Sequence, residues 1–201
     1  MMNGSALGEF HFPDDRYEIR LSGSGGQGLV LAAMLLAEAV GADPAKRVIQ
    51  TKSYGPEARG GASKSDVVIS TSDIYYPKAY KLDLLLAMTQ ESLDKYYRDL
   101  KEHGTLIVDD TLVSQVPCEE YYALSFTQFA QEQLHNVMVA NVIALGSIAA
   151  ITSVVSLKAL MKVVLARAPR GTEEINRAAL EMGFHEGMLL RQESEGFCIA
   201  A

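Results

Sequence analysis

At 201 residues the chain has the size of one globular domain with a peripheral extension, and 48% hydrophobic with 21% charged residues exclude a disordered or fibrous protein. A net charge of −7 opposes the phosphate attraction on which nonspecific nucleic-acid binding depends, so nucleic acid is not an expected partner. The 2 cysteines, Cys118 and Cys198, form no C-x-x-C, so the chain cannot supply the four thiolates of an ordinary iron–sulfur cluster, and any such cluster must sit on another chain.

Residues 1–16 read as a flexible lead, without the basic and apolar regions of a secretory signal, which makes the cytoplasm the expected compartment. Tyr17 to Ser22 alternates apolar and polar residues as a half-buried strand does, too polar on one face for the centre of a doubly wound sheet. A glycine turn follows, and Leu29 to Val40 is a helix carrying one charge, Glu38, that needs cover on more than one side. Val48 to Gln50, Asp66 to Ser70 and Leu82 to Met88 read as strands. Glu91 to His103 reads as a helix stopped by Gly104, before a strand from Thr105 to Asp109. Another strand spans Tyr121 to Ser125, and Ser125 with Gln128 forms a capping box for a helix to about Leu134.

The remainder is helical: Val137 to Thr152, Leu157 to Ala168, and Glu173 to about Met188 with a break at Gly183. Asn136 to Leu157 contains no charge, yet Asn141, Ser147, Thr152, Ser153 and Ser156 interrupt it, so a buried or interface helix is expected and not a membrane span. The fold class is therefore α/β: a three-layer α/β/α domain over residues 17–201, with a largely parallel or mixed sheet and a helical C-terminal part.

Two glycine-rich segments carry the functional information. Gly23-Ser24-Gly25-Gly26-Gln27-Gly28 contains G-x-G-x-x-G between a strand and a helix, with Gly23 for the turn, Gly25 for close backbone approach and Gly28 for helix packing. Nicotinamide binding also wants an acid ending the second strand; Asp43 has the spacing but sits in a turn, and the strand ends in Gln50-Thr51-Lys52. Another phosphate or CoA-like anion, or a structural turn at a subunit contact, are the other readings. The second segment is Ser53-Tyr54-Gly55-Pro56-Glu57-Ala58-Arg59-Gly60-Gly61, where Arg59 either grips an anion or pairs with Glu57 or Asp66. Asp109-Asp110 after a strand could bind a cation but reads more readily as a pair of solvated carboxylates, and no spacing of His with carboxylates suggests a metal site or a catalytic set.

At these two segments the chain resembles the γ subunit of the 2-oxoacid:ferredoxin oxidoreductases, most closely the 2-oxoglutarate type. The resemblance runs from Tyr17 to Gly187 and rests on the G-x-G-G-Q-G turn, the S-Y-G-P-E-A-R-G-G loop, Ser65 to Ser70, Ile74-Tyr75-Tyr76-Pro77, Asp83, and Asn141 with Leu145-Gly146. It implies oxidative decarboxylation of a 2-oxoacid, acyl transfer to CoA and electron passage to ferredoxin. It also implies α and β subunits as partners, and a δ subunit where there is one. The complex would use thiamine diphosphate, a divalent cation, iron–sulfur clusters and CoA, none bound by this chain alone. Gly23 to Gly28 would face CoA or shape an interface, with Ser53, Tyr54, Gly55, Glu57, Arg59, Gly60 and Gly61 forming the second loop. The alternatives are the corresponding subunit of a pyruvate, branched-chain 2-oxoacid or indolepyruvate oxidoreductase, and a free-standing nucleotide- or CoA-binding protein. The nearly all-apolar first helix counts against the free-standing reading, since a lone chain would have to cover it.

Overall fold

The computed structural model describes residues 15–52 and 61–199, with side chains described to residue 194. Among them, six strands form one sheet in the order β2-β3-β1-β4-β5-β6: β1 Arg16–Ser24, β2 Arg47–Lys52, β3 Ala62–Ser70, β4 Leu82–Ala87, β5 Leu100–Asp109 and β6 Tyr122–Leu124. The pairs β1–β4, β4–β5 and β5–β6 are parallel, whereas β3 runs antiparallel to both β1 and β2. The sheet is therefore mixed. Its helices are α1 Leu29–Gly41, α2 Gln90–Tyr96, α3 Phe126–Glu132, α4 Ala140–Thr152, α5 Leu157–Arg167 and α6 Glu173–Ile199.

The layers are unequal. Ile19, Leu21, Val67, Ile69, Leu84, Leu86 and Ile107 face a thick helical layer made by α1, α3, α4, α5 and α6. Val68, Leu85, Leu106 and Val108 face the other side, where α2 contributes Leu93 and Tyr96. α1 is covered by the strands beneath it and by α5 and α4. The chain thus supplies most of the cover its apolar helix needs, and that objection to a free-standing protein is removed.

The first strand corrects the sequence reading. β1 lies inside the sheet and is buried on both faces, including Glu18, Arg20 and Ser22. Each polar group has a partner in place. Arg20 donates from Nε to Asp66 Oδ1 at 2.7 Å and from Nη2 to Asp66 Oδ2 at 2.9 Å, binds Asp99, and stacks over the Tyr96 ring at 5.0 Å. Burial opposes its charge, but the two carboxylates prevail and its pKa stands above the ordinary arginine value. Glu18 accepts from Arg16 Nε at 2.6 Å and from the backbone N–H groups of Tyr80 and Lys81 at 2.7 and 3.0 Å. Ser22 Oγ donates to the Leu86 carbonyl at 2.8 Å.

Two helix expectations also change. The helix placed over Glu91 to His103 stops at Tyr96, and after one turn of 3-10 helix the chain enters β5 at Leu100, so His103 lies in a strand. Gly104 does not end a helix; it lets β5 pass Leu82, whose carbonyl oxygen would lie 2.9 Å from a Cβ there. α6 has no break at Gly183, which is instead a contact point with α4. A Cβ on Gly183 would overlap the Ile143 carbonyl oxygen, and one on Gly146 would overlap that of Leu180. Gly187 meets Ser147 and Ala150 at 2.9 Å in the same way.

The expected stop and restart of the charge-free run do occur. α4 ends at Thr152 with Ser153 left-handed at φ 56°, and Ser156 Oγ accepts from Ala159 N at 3.2 Å to cap α5. No helix among the described residues is long and apolar enough to cross a membrane.

Because neither backbone at the α4–α6 contact can yield as a side chain does, Gly183→Ala is expected to cost at least about 3 kcal/mol or to abolish soluble expression. Gly41→Ala, whose Cβ would meet Val48 at an ordinary 3.8 Å, should stay within about 1 kcal/mol of wild type. Denaturant unfolding of both proteins checks this, and equal midpoints would mean that the two helices can separate freely.

Candidate functional site

In open sheets with parallel strands, ligands favour the carboxyl ends of strands where the connections diverge. Here that point lies between β1, whose chain crosses to the β2 edge, and β4, whose chain continues toward β5. The glycine turn leaves β1 at this end. So does the second loop, because β2 runs into it at Lys52 and β3 leaves it at Ala62, which pairs with Ser24. Residues 53–60, including Ser53, Tyr54, Gly55, Glu57, Arg59 and Gly60, lie outside the described residues, and Gly61 is the first described residue beyond them. The two stems of that loop are firmly held: Glu91 Oε1 accepts from Ala62 N at 3.2 Å, and Tyr96 donates to the Ala62 carbonyl at 3.1 Å. Lys52 pairs with Ser65, and Gln50 Nε2 donates to Ser65 Oγ and to the Val30 carbonyl of α1.

Within the turn the glycines divide the work differently from the sequence reading. Gly23 is the close-packed one: a Cβ there would overlap Gln27 Oε1 and lie 2.9 Å from Leu29 and Met88. Gly26 and Gly28 are left-handed, at φ 93° and 72°. Gly28 is also pressed by Asn141, whose Nδ2 donates to the Gly28 carbonyl at 3.1 Å and would overlap a Cβ. Gly25 has nothing within 4 Å of its Cβ position, so the steric demand expected there is absent. Its openness leaves room for a group outside the turn. Gln27 ties the turn together, accepting from Ser24 N at 2.7 Å while Nε2 reaches toward the Met88 carbonyl at 3.5 Å.

The strand-end position that holds a ribose in nicotinamide sites carries no acid. Asp43 accepts from Ala45 N within its own turn. For Arg59, one of the two expected surface partners is already committed, since Asp66 is buried and bidentate to Arg20.

Asp109, at the carboxyl end of β5, is buried rather than solvated and replaces Ser125 as the cap of α3. Its Oδ2 accepts from Thr127 N at 3.2 Å and from the Thr127 hydroxyl at 2.5 Å, and its Oδ1 accepts from Thr111 N at 3.2 Å. Desolvation raises its pKa above the ordinary 3.8, with the Thr127 and Thr111 donors offsetting part of the rise. Among the described residues no three His, Cys, Asp or Glu side chains converge as a metal site. This sheet end therefore offers open space beside Gly25 and Gly26 and firmly held strand ends at Lys52 and Ala62.

Residues 18–186 match the family described as pyruvate ferredoxin/flavodoxin oxidoreductase. The 2-oxoglutarate synthase subunit KorC of Methanocaldococcus jannaschii is 45% identical over 173 residues, covering 84% of this chain and 92% of that protein. The γ subunit of a keto/oxoacid ferredoxin oxidoreductase from Geobacter sulfurreducens superposes with a TM-score of 0.79 at 46% identity, over 87% of this chain and 97% of that one. A 2-oxoglutarate:ferredoxin oxidoreductase from Magnetococcus marinus shares the fold, with a TM-score of 0.75 at 20% identity over 87% of this chain and 31% of that chain.

Gly28→Ala is expected to destabilise by about 2 kcal/mol or more, from its left-handed backbone and the Asn141 overlap together. Gly25→Ala should remain within about 1 kcal/mol of wild type, as substitutions facing open space do. Thermal unfolding of the two variants compares them, and a larger loss at Gly25 would contradict this division of roles. A second expectation concerns pH. A carboxyl whose pKa is raised on folding contributes stability that is full below its ordinary value and fades as pH rises through the folded value. The stability of wild type relative to Asp109→Asn should therefore fall as pH increases from 4 toward 7. Denaturant unfolding across that range reads the difference, and a flat or rising difference would show that burial does not govern this group.

Proposed function

The chain belongs to the pyruvate ferredoxin/flavodoxin oxidoreductase family, and on that premise we propose that it serves as the γ subunit of a 2-oxoglutarate:ferredoxin oxidoreductase. That complex oxidatively decarboxylates 2-oxoglutarate, passes the acyl group to CoA and delivers electrons to ferredoxin. The 45% identity to a 2-oxoglutarate synthase subunit supports the choice of substrate. Residues 17–201 act in this reading as one α/β unit in the cytoplasm, joined to α and β subunits, and to a δ subunit where there is one.

Division of labour follows from the side chains. With 2 cysteines in the whole sequence, four-thiolate iron–sulfur clusters belong to the partners, as do thiamine diphosphate and its divalent cation. What this chain contributes is binding and orientation. The observation that supports the proposal is the pairing of Ser24 with Ala62, which brings the strand end at the glycine turn beside the first residue of β3, just after the second glycine-rich segment. Open space at Gly25 and Gly26 would admit an anionic portion of CoA, or a partner backbone, against the turn that leads into α1. CoA supplies the thiol that accepts the acyl group. Arg59, on a loop bordered by Gly55, Pro56, Gly60 and Gly61, would meet an anionic group with a bidentate guanidinium contact.

The test is the assembled complex, produced by co-expressing a tagged form of this chain with the remaining subunits. Wild type is expected to copurify with them and to support CoA-dependent oxidation of 2-oxoglutarate in preference to pyruvate, whereas the isolated chain has no such activity. Arg59→Ala should leave the chain folded and reduce subunit affinity or CoA-dependent turnover about thirtyfold, with Arg59→Lys only partly restoring it, since losing one side of a desolvated charged contact costs about 2–5 kcal/mol. Wild-type values for Arg59→Ala in both measurements would make the residue a surface charge without function. Failure of the wild-type chain to copurify would overturn the subunit assignment itself.

A further inference from the structure

At the end of the sheet opposite the glycine turn, the connection from β3 to β4 borders an open cavity of about 320 Å³. Its lining includes Asp15, Asp73, Ile74, Tyr75, Tyr76 and Tyr80. The three tyrosines are the conspicuous feature, because these large, partly apolar residues remain 92%, 54% and 61% exposed. Tyr76 and Tyr80 stand edge to face, with centroids 6.1 Å apart.

The backbone beneath them is tied down. Arg16 donates to the Tyr76 and Lys78 carbonyls at 2.7 and 2.9 Å, while buried Glu18 accepts from Tyr80 N and Lys81 N. The main chain that carries Tyr76 and Tyr80 is therefore already ordered, so covering these residues would cost side-chain ordering but little main-chain ordering. Rigid exposed tyrosines in a pocket are the residues that dominate protein–protein binding energy.

Charge decides what enters. The faces of the rings are electron-rich, and Asp15 and Asp73 bring two carboxylates to the lining. The cation that also lines the cavity, Arg16, is answered by Glu18 at 2.6 Å. Arg47 lies 3.8 Å from Asp73, with both side chains largely in solvent, a loose pair that an incoming cation can replace. A planar guanidinium suits this lining better than an ammonium, because it can stack on a ring while bonding a carboxylate with its fork. A small ligand would leave Tyr75 in water, whereas a protein surface carrying the arginine would cover all three rings.

We propose that this tyrosine-lined cavity is a docking site for an arginine side chain presented by another subunit of the oxidoreductase complex. The proposal rests on the reading of this chain as a subunit, and it places a contact far from the loops that would face CoA.

Co-expression of the full-length tagged chain with the remaining subunits allows subunit affinity to be measured at low and high salt. Tyr76→Ala combined with Tyr80→Ala is expected to weaken assembly at least tenfold. Asp15→Asn combined with Asp73→Asn should also weaken it tenfold and flatten its salt dependence. Thermal unfolding of the isolated variants accompanies both measurements, and the paired Asp→Asn substitutions alter no packing volume, so they remain informative if the tyrosine variant does not fold. Loss of affinity in the tyrosine variant with none in the aspartate variant would overturn the cationic occupant. Wild-type affinity in both would overturn the docking site while leaving the subunit assignment standing. If wild type itself does not copurify, the subunit reading fails, and this inference fails with it.

Discussion

The pairing of Arg20 with Asp66 fixes more of this molecule than any other contact. Both residues are buried, directly opposite one another on antiparallel strands β1 and β3, and joined by two hydrogen bonds. A buried ion pair is weak evidence for net stability, but breaking one is costly, typically about 3–5 kcal/mol, because the surviving charge stays desolvated. The pair therefore acts on register. A slip of one residue between β1 and β3 would separate the charges and turn Ile19 and Leu21 out of their core. With register set, Ser24 must face Ala62, so the end of β1 and the start of β3 lie side by side. The same strand carries Glu18, which fastens the loop bearing Tyr75, Tyr76 and Tyr80 at the other end of the sheet. The two surfaces proposed above thus both depend on the polar face of one central strand.

A second constraint holds the helical layer. α4 is almost wholly buried, and it meets α6 backbone to backbone at Gly146, Gly183 and Gly187. Small residues permit that approach, and dispersion between closely packed backbones supplies the attraction. The position of α4 then determines Asn141, which packs on Gly28 and accounts for its lack of a side chain. A helical contact deep in the C-terminal part thereby shapes a turn near the start of the chain.

The glycine turn shows why a motif's letters do not assign roles. In the dinucleotide reading, the middle glycine is bare so that the ligand can approach the backbone closely. Here Gly23 and Gly28 are bare because Gln27, Met88 and Asn141 crowd them, and Gly25 faces open space. The end of β2, where a nicotinamide ribose would need an acid, carries Gln50, Thr51 and Lys52, with Gln50 fastened to Val30 and Ser65. The turn is built to hold its own shape and to leave one side clear, which suits a subunit that positions a substrate or a partner and leaves bond-making to other chains.

Much of this was legible in the chain alone, wherever the signal was local. Strand and helix order, the stop at Thr152 and restart at Ser156, and the glycine turn after β1 all follow from periodicity, capping and turn chemistry within a few residues. Family membership was legible for the same reason, because it rests on contiguous motifs. What only the tertiary structure decided depends on partners far away in sequence. The alternation of β1 reads as a solvent face until Asp66, Asp83, Asp99 and Lys101 arrive to answer its charges and neighbours. Gly183 reads as a helix breaker until Ile143 is placed against it. Asp109 reads as solvated until Thr127, 18 residues on, brings the start of α3 to its carboxylate. In each case the residue's own neighbourhood in sequence is silent, and the physical cause is burial by a segment that only the fold brings near.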